Sequence, residues 1–102
     1  MEKSSDIVIV INSASGNITF ISASVKLLLQ HEERYYLGQH YHRLFDQESA
    51  TRISHLLLLA KKFRPLPYSR CEVQLVRADN ELIDAEMLLQ LNRSEDGRIK
   101  IV

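Results

Sequence analysis

The sequence is poor in the residues that build staples, hinges and fibres. Its 102 residues include one cysteine, three glycines and two prolines. A single thiol, Cys71, excludes an intramolecular disulfide and any cysteine-rich zinc site, and it fits a reducing compartment. Charge of one sign is not in excess either: 13 basic and 13 acidic residues give a formal net charge of +0. With no basic stripe, a nucleic-acid backbone is not an expected partner. The cluster Lys61, Lys62, Arg64 reads as a solvated helix end, where cations suit the C-terminal dipole. No apolar run approaches the roughly 20 residues that span a bilayer. The opening MEKSSD has charge but no apolar region of signal-peptide length. No membrane partner is expected, and the cytoplasm is the expected location. A Gly-rich phosphate loop and a nucleophile elbow are both missing, so no enzyme is expected.

What remains has the composition of a globular domain, 45% hydrophobic and 25% charged, and its length fits one domain over residues 1–102. Ile7 to Ile11 is IVIVI, entirely β-branched and so a strand, with the unbroken apolar run of one covered on both faces. Asn12 to Gly16 supplies turn chemistry, and Asn17 to Ile21 returns as a second strand, an antiparallel hairpin with the first. Ser22 or Ser24 is placed to cap a helix beginning near Val25, with Val25, Leu28 and Leu29 on one face. Gly38 ends a further helical turn, and Tyr41, Leu44 and Phe45 form a second short apolar face. Asp46 caps a longer helix, Gln47 to about Lys62, whose core stripe is Ile53, Leu56, Leu57 and Ala60. Leu58 and Leu59 widen that stripe, and Pro65 and Pro67 end the helix.

The last third alternates. Tyr68 to Arg77 reads as a strand, Ala78 to Glu81 as a turn, and Leu82 to Leu91 as a strand with Ile83, Ala85, Met87, Leu89 and Leu91 facing one way. Asn92 to Gly97 is another turn, before a strand through Ile99 and Ile101. The order β-β-α-α-α-β-β-β, with strands at both ends, describes an α+β domain with an antiparallel sheet and helices on one side.

This order, with these local sequences, resembles the PAS family over nearly the whole chain. DIVIVINSASGNITFIS is similar to the family's opening hairpin, SVKLLLQHEERYYLG to its first helix and following leucine-glycine pair, and HRLFDQES to the entry of its long helix. VRADNELIDAEM is similar to a strand–turn–strand that usually carries Lys-Asp-Gly. The chain departs from the pattern at Gln30-His31, where the family often has Gly-Tyr, at Phe45-Asp46, where it has His-Pro, and at Asp79-Asn80, where it has Asp-Gly. Asn is the residue after Gly best able to take φ > 0. The resemblance implies a five-stranded antiparallel sheet with short helices and one longer helix on one face, and a ligand-sized space between them. It also implies a sensory or dimerising module of a bacterial-type signal-transduction protein.

A pocket, if present, would be lined by Tyr41, Phe45, Ile53, Leu57, Val73, Met87 and Leu89. The same aromatics can instead fill it, and a core without cofactor is the expectation. Haem-binding relatives place an axial histidine on the long helix, which makes His55 the ligand if haem is bound. At about 100° per residue, however, His55 lies opposite the Ile53/Leu56/Leu57/Ala60 stripe, which favours a solvent- or interface-facing ring. Flavin photochemistry resembles a subgroup with a reactive cysteine in an Asn-Cys-Arg context, and Cys71 stands in Arg-Cys-Glu instead. His31, His40 and His42 invite a metal reading, but His40 and His42 are spaced i, i+2, which on a helix turns the rings apart, and no carboxylate or cysteine cluster matches them, so surface or hydrogen-bonded histidines and no metal site are expected. Asp84 and Glu86 share the outer face of a strand and read as solvated.

That outer face is richer in apolar residues than a solvated face needs. Val8, Val10, Val76, Leu82 and Leu88 read as a contiguous patch and hence an interface, for a second copy or for a flanking segment. Five residues before Asp6 are too few for a covering helix, and the chain stops inside its last strand. The expectation is therefore a piece of a longer signalling protein. It would form a homodimer or pack on an intramolecular effector such as a kinase, a cyclic-nucleotide enzyme or a transcription regulator. The alternative function is a small-molecule or haem sensor with its ligand between sheet and helices.

Overall fold

The computed structural model describes residues 6–62, 69–91 and 97–101. The expected helix stop at Pro65 and Pro67, the strand start at Tyr68 and the turn at 92–96 lie outside these residues, as do the side chains of Ala60 and Leu91. Strands β1 (Ile7–Ile11) and β2 (Ile18–Ile21) form the opening hairpin. Helix α1 (Val25–Leu29), two 3-10 turns (Glu33–Tyr35 and Tyr41–Arg43) and helix α2 (Gln47–Lys62) follow. Strands β3 (Ser69–Val76), β4 (Leu82–Leu91) and β5 (Gly97–Ile101) complete the chain. The five strands make one antiparallel sheet in the order β2-β1-β5-β4-β3.

Alternation decides which face is inside. Ile7, Ile9 and Ile11, Val73 and Leu75, Met87 and Leu89, and Ile99 and Ile101 are all buried under the helices, while their intervening neighbours point outward. β2 breaks the rule of alternation. Ile11 pairs with Ile18 but Val10 pairs with Phe20, so the register slips by one residue and both Thr19 and Phe20 face out. That is a β-bulge, with two residues opposing one.

The helix starts are built in two different ways. Asp46 caps α2, its Oδ1 accepting the Ser49 N–H at 3.0 Å, which satisfies one of the donors orphaned in a first helical turn. At α1 the serines do something else. Ser24 occupies the N-cap without a side-chain cap bond. Its Oγ donates to the Asp6 carbonyl at 2.6 Å, and Ser22 Oγ accepts the Val8 N–H at 2.9 Å. The pair therefore ties the helix entry to the start of β1.

Among the described residues, both sheet edges are partly covered by the segment that joins the hairpin to α2 and by α2 itself. On the β2 side, Ile18 N–H donates to the Gln39 carbonyl, Gly38 N–H to that of Ile18, and Tyr41 N–H to that of Gly16. On the β3 side, Asp46 N–H donates to the Gln74 carbonyl and Val76 N–H to that of Leu44. Ser49, buried on α2, accepts the Gln74 N–H at 2.8 Å, and Arg52 donates to the Glu72 carbonyl at 2.8 Å. Free edge groups would be a template for pairing with other chains.

Gly16 and Gly38 both have positive φ, +79° and +81°. At Gly16 a Cβ would also collide with the His40 ring and crowd Tyr41, whereas at Gly38 it would meet open space. Left-handed backbone costs an L-residue roughly 1–2 kcal/mol. Gly38→Ala is expected to lose about 1 kcal/mol and Gly16→Ala at least about 2 kcal/mol in urea unfolding, because only the latter adds a steric collision. Equal losses at the two sites would contradict the close packing of His40 on the turn.

Candidate functional site

The seven residues expected to line a pocket come together. Tyr41, Phe45, Ile53, Leu57, Val73, Met87 and Leu89 are all buried and belong to one hydrophobic cluster with Leu44, Leu75 and Tyr36. α2 supplies Ile53 and Leu57, the 3-10 turn and its exit supply Tyr41 and Phe45, and the inner faces of β3 and β4 supply the rest.

At the rim of this core the second 3-10 turn makes a junction. Tyr41 Oη and Ser54 Oγ are hydrogen-bonded, which joins the turn to α2. The His40 ring packs on Tyr41 with centroids 4.2 Å apart and lies over Gly16. Two open grooves flank the Tyr41–Ser54 contact. One, of about 270 Å³, runs along Ser13 to Gly16 and reaches Leu57 and Leu58. The other, of about 390 Å³, runs past His42, Phe45, Gln47, Ala50 and Thr51. The first falls below, and the second at the small end of, the roughly 300–1,000 Å³ typical of ligand pockets.

His40 and His42 depart from the sequence expectation. His40 is not helical. It is the N-cap of the 3-10 turn, with φ −68° and ψ 149°, so helical spacing does not apply. Its Nδ1 accepts the His42 backbone N–H at 3.1 Å and lies 2.8 Å from His42 Nδ1. Burial, and secondly the neighbouring His42, holds the His40 imidazole below its usual range.

The other sequence candidates lie apart. His55 is on the exposed side of α2, where it lines a shallow groove with Leu58, Leu59 and Lys62, away from the seven core residues. Asp84 accepts from Gln74 Nε2 at 2.9 Å, and Glu86 lies 3.7 Å from Arg70 Nη1, so each acid of that pair has its own surface partner. A polar cleft of about 650 Å³ lies where the first turns of α2 cross β3 and β4. Asp46, Ser49 and Arg52, which line it, are already used in closing the β3 edge.

The five residues expected as an interface do share the outer face, but they do not form one patch. Register explains the difference. Val10 pairs with Phe20 on one side and Arg98 on the other, and Val8 pairs with Lys100, which pairs with Leu88, which pairs with Arg70. Val76 and Leu82 pair with each other at the far end of β3 and β4, beyond the rows Gln74/Asp84 and Glu72/Glu86. One apolar corner, Val8, Val10 and the half-exposed Phe20, is thus divided from a second, Val76 and Leu82, by charged and polar rows.

No protein-family model and no curated protein matches the chain. Solved structures do. A PAS domain of an HTR-like protein from Haloarcula marismortui superposes with TM-score 0.76 at 20% identity, covering 98% of this chain and 81% of that one. The fold is that of a PAS domain. The chromophore-binding domain of a bacteriophytochrome from R. palustris gives TM-score 0.77 at 18% identity, covering 94% of this chain. This chain spans 29% of that one's length. A quorum-sensing receptor PAS domain from Cronobacter turicensis, in complex with BDSF, gives TM-score 0.75 at 10% identity over 99% of this chain and 95% of that one.

Within this PAS fold one buried group is unbalanced. Tyr36 is 1% exposed, and its hydroxyl has no hydrogen-bond partner among the described residues. Burial, and secondly the neighbouring Tyr35, pushes it up from 10.0 to about 12, against the opposing pull of Arg43. The unfolded chain ionises at the lower value and the folded chain only at the higher. Stability from this group is therefore intact below pH 10.0 and is lost as pH rises towards about 12, by up to about 1.4 kcal/mol per pH unit. Tyr36→Phe is expected to flatten the unfolding free energy over that range and to equal or exceed the parent's stability at pH 7. An unchanged alkaline slope would contradict the assignment.

Proposed function

We propose that the chain is a sensory and regulatory module whose inner core is filled by its own side chains. It pairs with a second copy through the outer sheet face and passes a signal to an effector domain of a longer signalling protein. The observation that carries this reading is the asymmetry of the sheet. Its helix side is packed by the seven buried residues above, while its outer side keeps Phe20, 50% exposed, beside Val10 and Val8. An exposed apolar cluster beside cationic rows suits a mixed interface with an apolar centre and a polar rim. Arg98 and Lys100 would supply that rim. The PAS fold supports the sensory role, since one fold neighbour is a domain of a sensor histidine kinase/response regulator from Geobacter sulfurreducens; fold by itself leaves the effector open.

The grooves beside Tyr41 and Ser54 favour a second reading, a small-molecule sensor. A ligand entering there would displace the Tyr41–Ser54 contact to reach the core, and the BDSF complex of a PAS neighbour is a precedent for occupancy.

Native mass spectrometry separates the two readings. A dimer at bare polypeptide mass is expected. Phe20→Asp is expected to yield monomer without loss of thermal stability, while Leu82→Asp, at the other apolar corner, leaves the dimer intact. Added mass of an organic ligand would replace the filled-core reading with the sensor reading. A bare monomer for the parent chain would remove the pairing face.

A further inference from the structure

Two grooves meet at one contact. Both are lined by His40, Tyr41 and Ser54, and the Tyr41–Ser54 hydrogen bond stands between them. No strand residue lines either, which sets them apart from the space between sheet and helices. Charged residues make up 25% of the chain, yet neither lining contains an Asp, Glu, Lys or Arg. The cleft at the β3 edge and the groove beside His55 both do. The two grooves offer the hydroxyls of Ser15 and Thr51 and the Gln47 amide, beside Leu57 and Phe45. A charged ligand there would lose its water without gaining a counter-charge. One donor is also left over. His40 Nδ1 accepts the His42 N–H at 3.1 Å, so the neutral ring carries its proton on Nε2. That Nε2–H has no hydrogen-bond partner among the described residues. The ring itself is held by Tyr41 and the Gly16 turn.

We propose that the two grooves are halves of one site for a small neutral molecule, a carbonyl or hydroxyl acceptor joined to an apolar body, and that the Tyr41–Ser54 hydrogen bond is its gate. The acceptor takes the His40 Nε2–H, and the apolar body lies along Leu57 and Phe45. Grooves of about 270 and 390 Å³ are each small for a ligand; joined, they fall inside the range of ordinary ligand sites. Joining them requires the Tyr41 hydroxyl to leave Ser54. A ligand therefore binds only the open fraction of molecules, and its apparent affinity is reduced by that fraction. Occupancy is felt where it matters structurally, because Tyr41 N–H is bonded to the Gly16 carbonyl and its hydroxyl to α2. The inference rests on the small-molecule reading above, narrows it to the rim of the core, and is independent of the pairing face.

The test is titration of the nitrogen-15-labelled 102-residue chain with benzamide, benzoate and benzylamine, read from amide chemical shifts. These share one ring and differ in charge. Benzamide is expected to bind in the millimolar range, to shift the Gly16, His42 and Thr51 amides, and to bind about tenfold or more tightly than either charged relative. Ser54→Ala opens the gate and is expected to tighten benzamide about fivefold, the scale of one net hydrogen bond. A residue that merely lined the groove would weaken binding when truncated. Ser54 is exposed on a helix and Ala favours helix, so this variant keeps the fold. His40→Phe keeps a ring on the turn but removes Nε2–H, and is expected to weaken benzamide about tenfold. His55→Ala is expected to change nothing. Weaker or unchanged binding in Ser54→Ala, or benzoate or benzylamine binding as tightly as benzamide, would overturn the proposal. Benzamide shifts confined to β3 and β4 would overturn the groove site and leave the sensor reading standing. No binding of any of the three, together with bare polypeptide mass in native mass spectrometry, would remove both.

Discussion

Everything between the sheet's two edges is governed by one short connection. His40 bridges to Asn17 outside β2, and Phe45 bridges to Leu75 outside β3. In a flat sheet of order β2-β1-β5-β4-β3 those two positions would be about 29 Å apart, six spacings of nearly 5 Å. Five residues reach at most about 18 Å even when fully extended, and Tyr41–Arg43 is a compact 3-10 turn. The sheet must therefore curl until its edges face each other across the helices. This constraint sets the width of the space under the helices and explains why side chains from β3, β4, α2 and the turn meet there.

The same connection places the candidate sites. Tyr41 is buried near the start of the span and is tied to Ser54, while His40 and His42 lie on either side of it. Residues of this connection hydrogen-bond to both sheet edges, so a shift of the turn pulls on both. The outer face is the other surface that would feel a change in curl, because its residues alternate with the core positions along each strand.

Much of this was legible in the sequence because it is periodic or local. Alternation in Leu82 to Leu91 fixed which residues face in, the β-branched run fixed β1, and Asp46 marked the start of α2. Asn80, standing where the PAS pattern has Gly, does take positive φ, at 69°. So does Gln30, at 67°, where the pattern also favours Gly. What escaped was set by non-local pairing. The serines before α1 looked like caps, but a strand 14 to 18 residues earlier in sequence competes for their hydroxyls. The outer apolar residues looked contiguous until β5 was inserted between β1 and β4, bringing Arg98 and Lys100 into their rows. The His40–His42 contact has no local signature, because i, i+2 spacing turns rings apart on a helix and nothing in Gln39-His40-Tyr41 announces that His40 is extended. The slip that turns Phe20 outward has no local signature either, since ITFI reads as an ordinary strand.

The central claim is that one connection clamps both edges of a curled sheet. Native-state hydrogen exchange tests it at two amides, Ile18 N–H, bonded to Gln39, and Val76 N–H, bonded to Leu44. The account predicts that both are protected as strongly as the central β1–β5 amides and lose protection together, because opening either edge releases the other. Fast exchange at one edge while the other stays protected would contradict it.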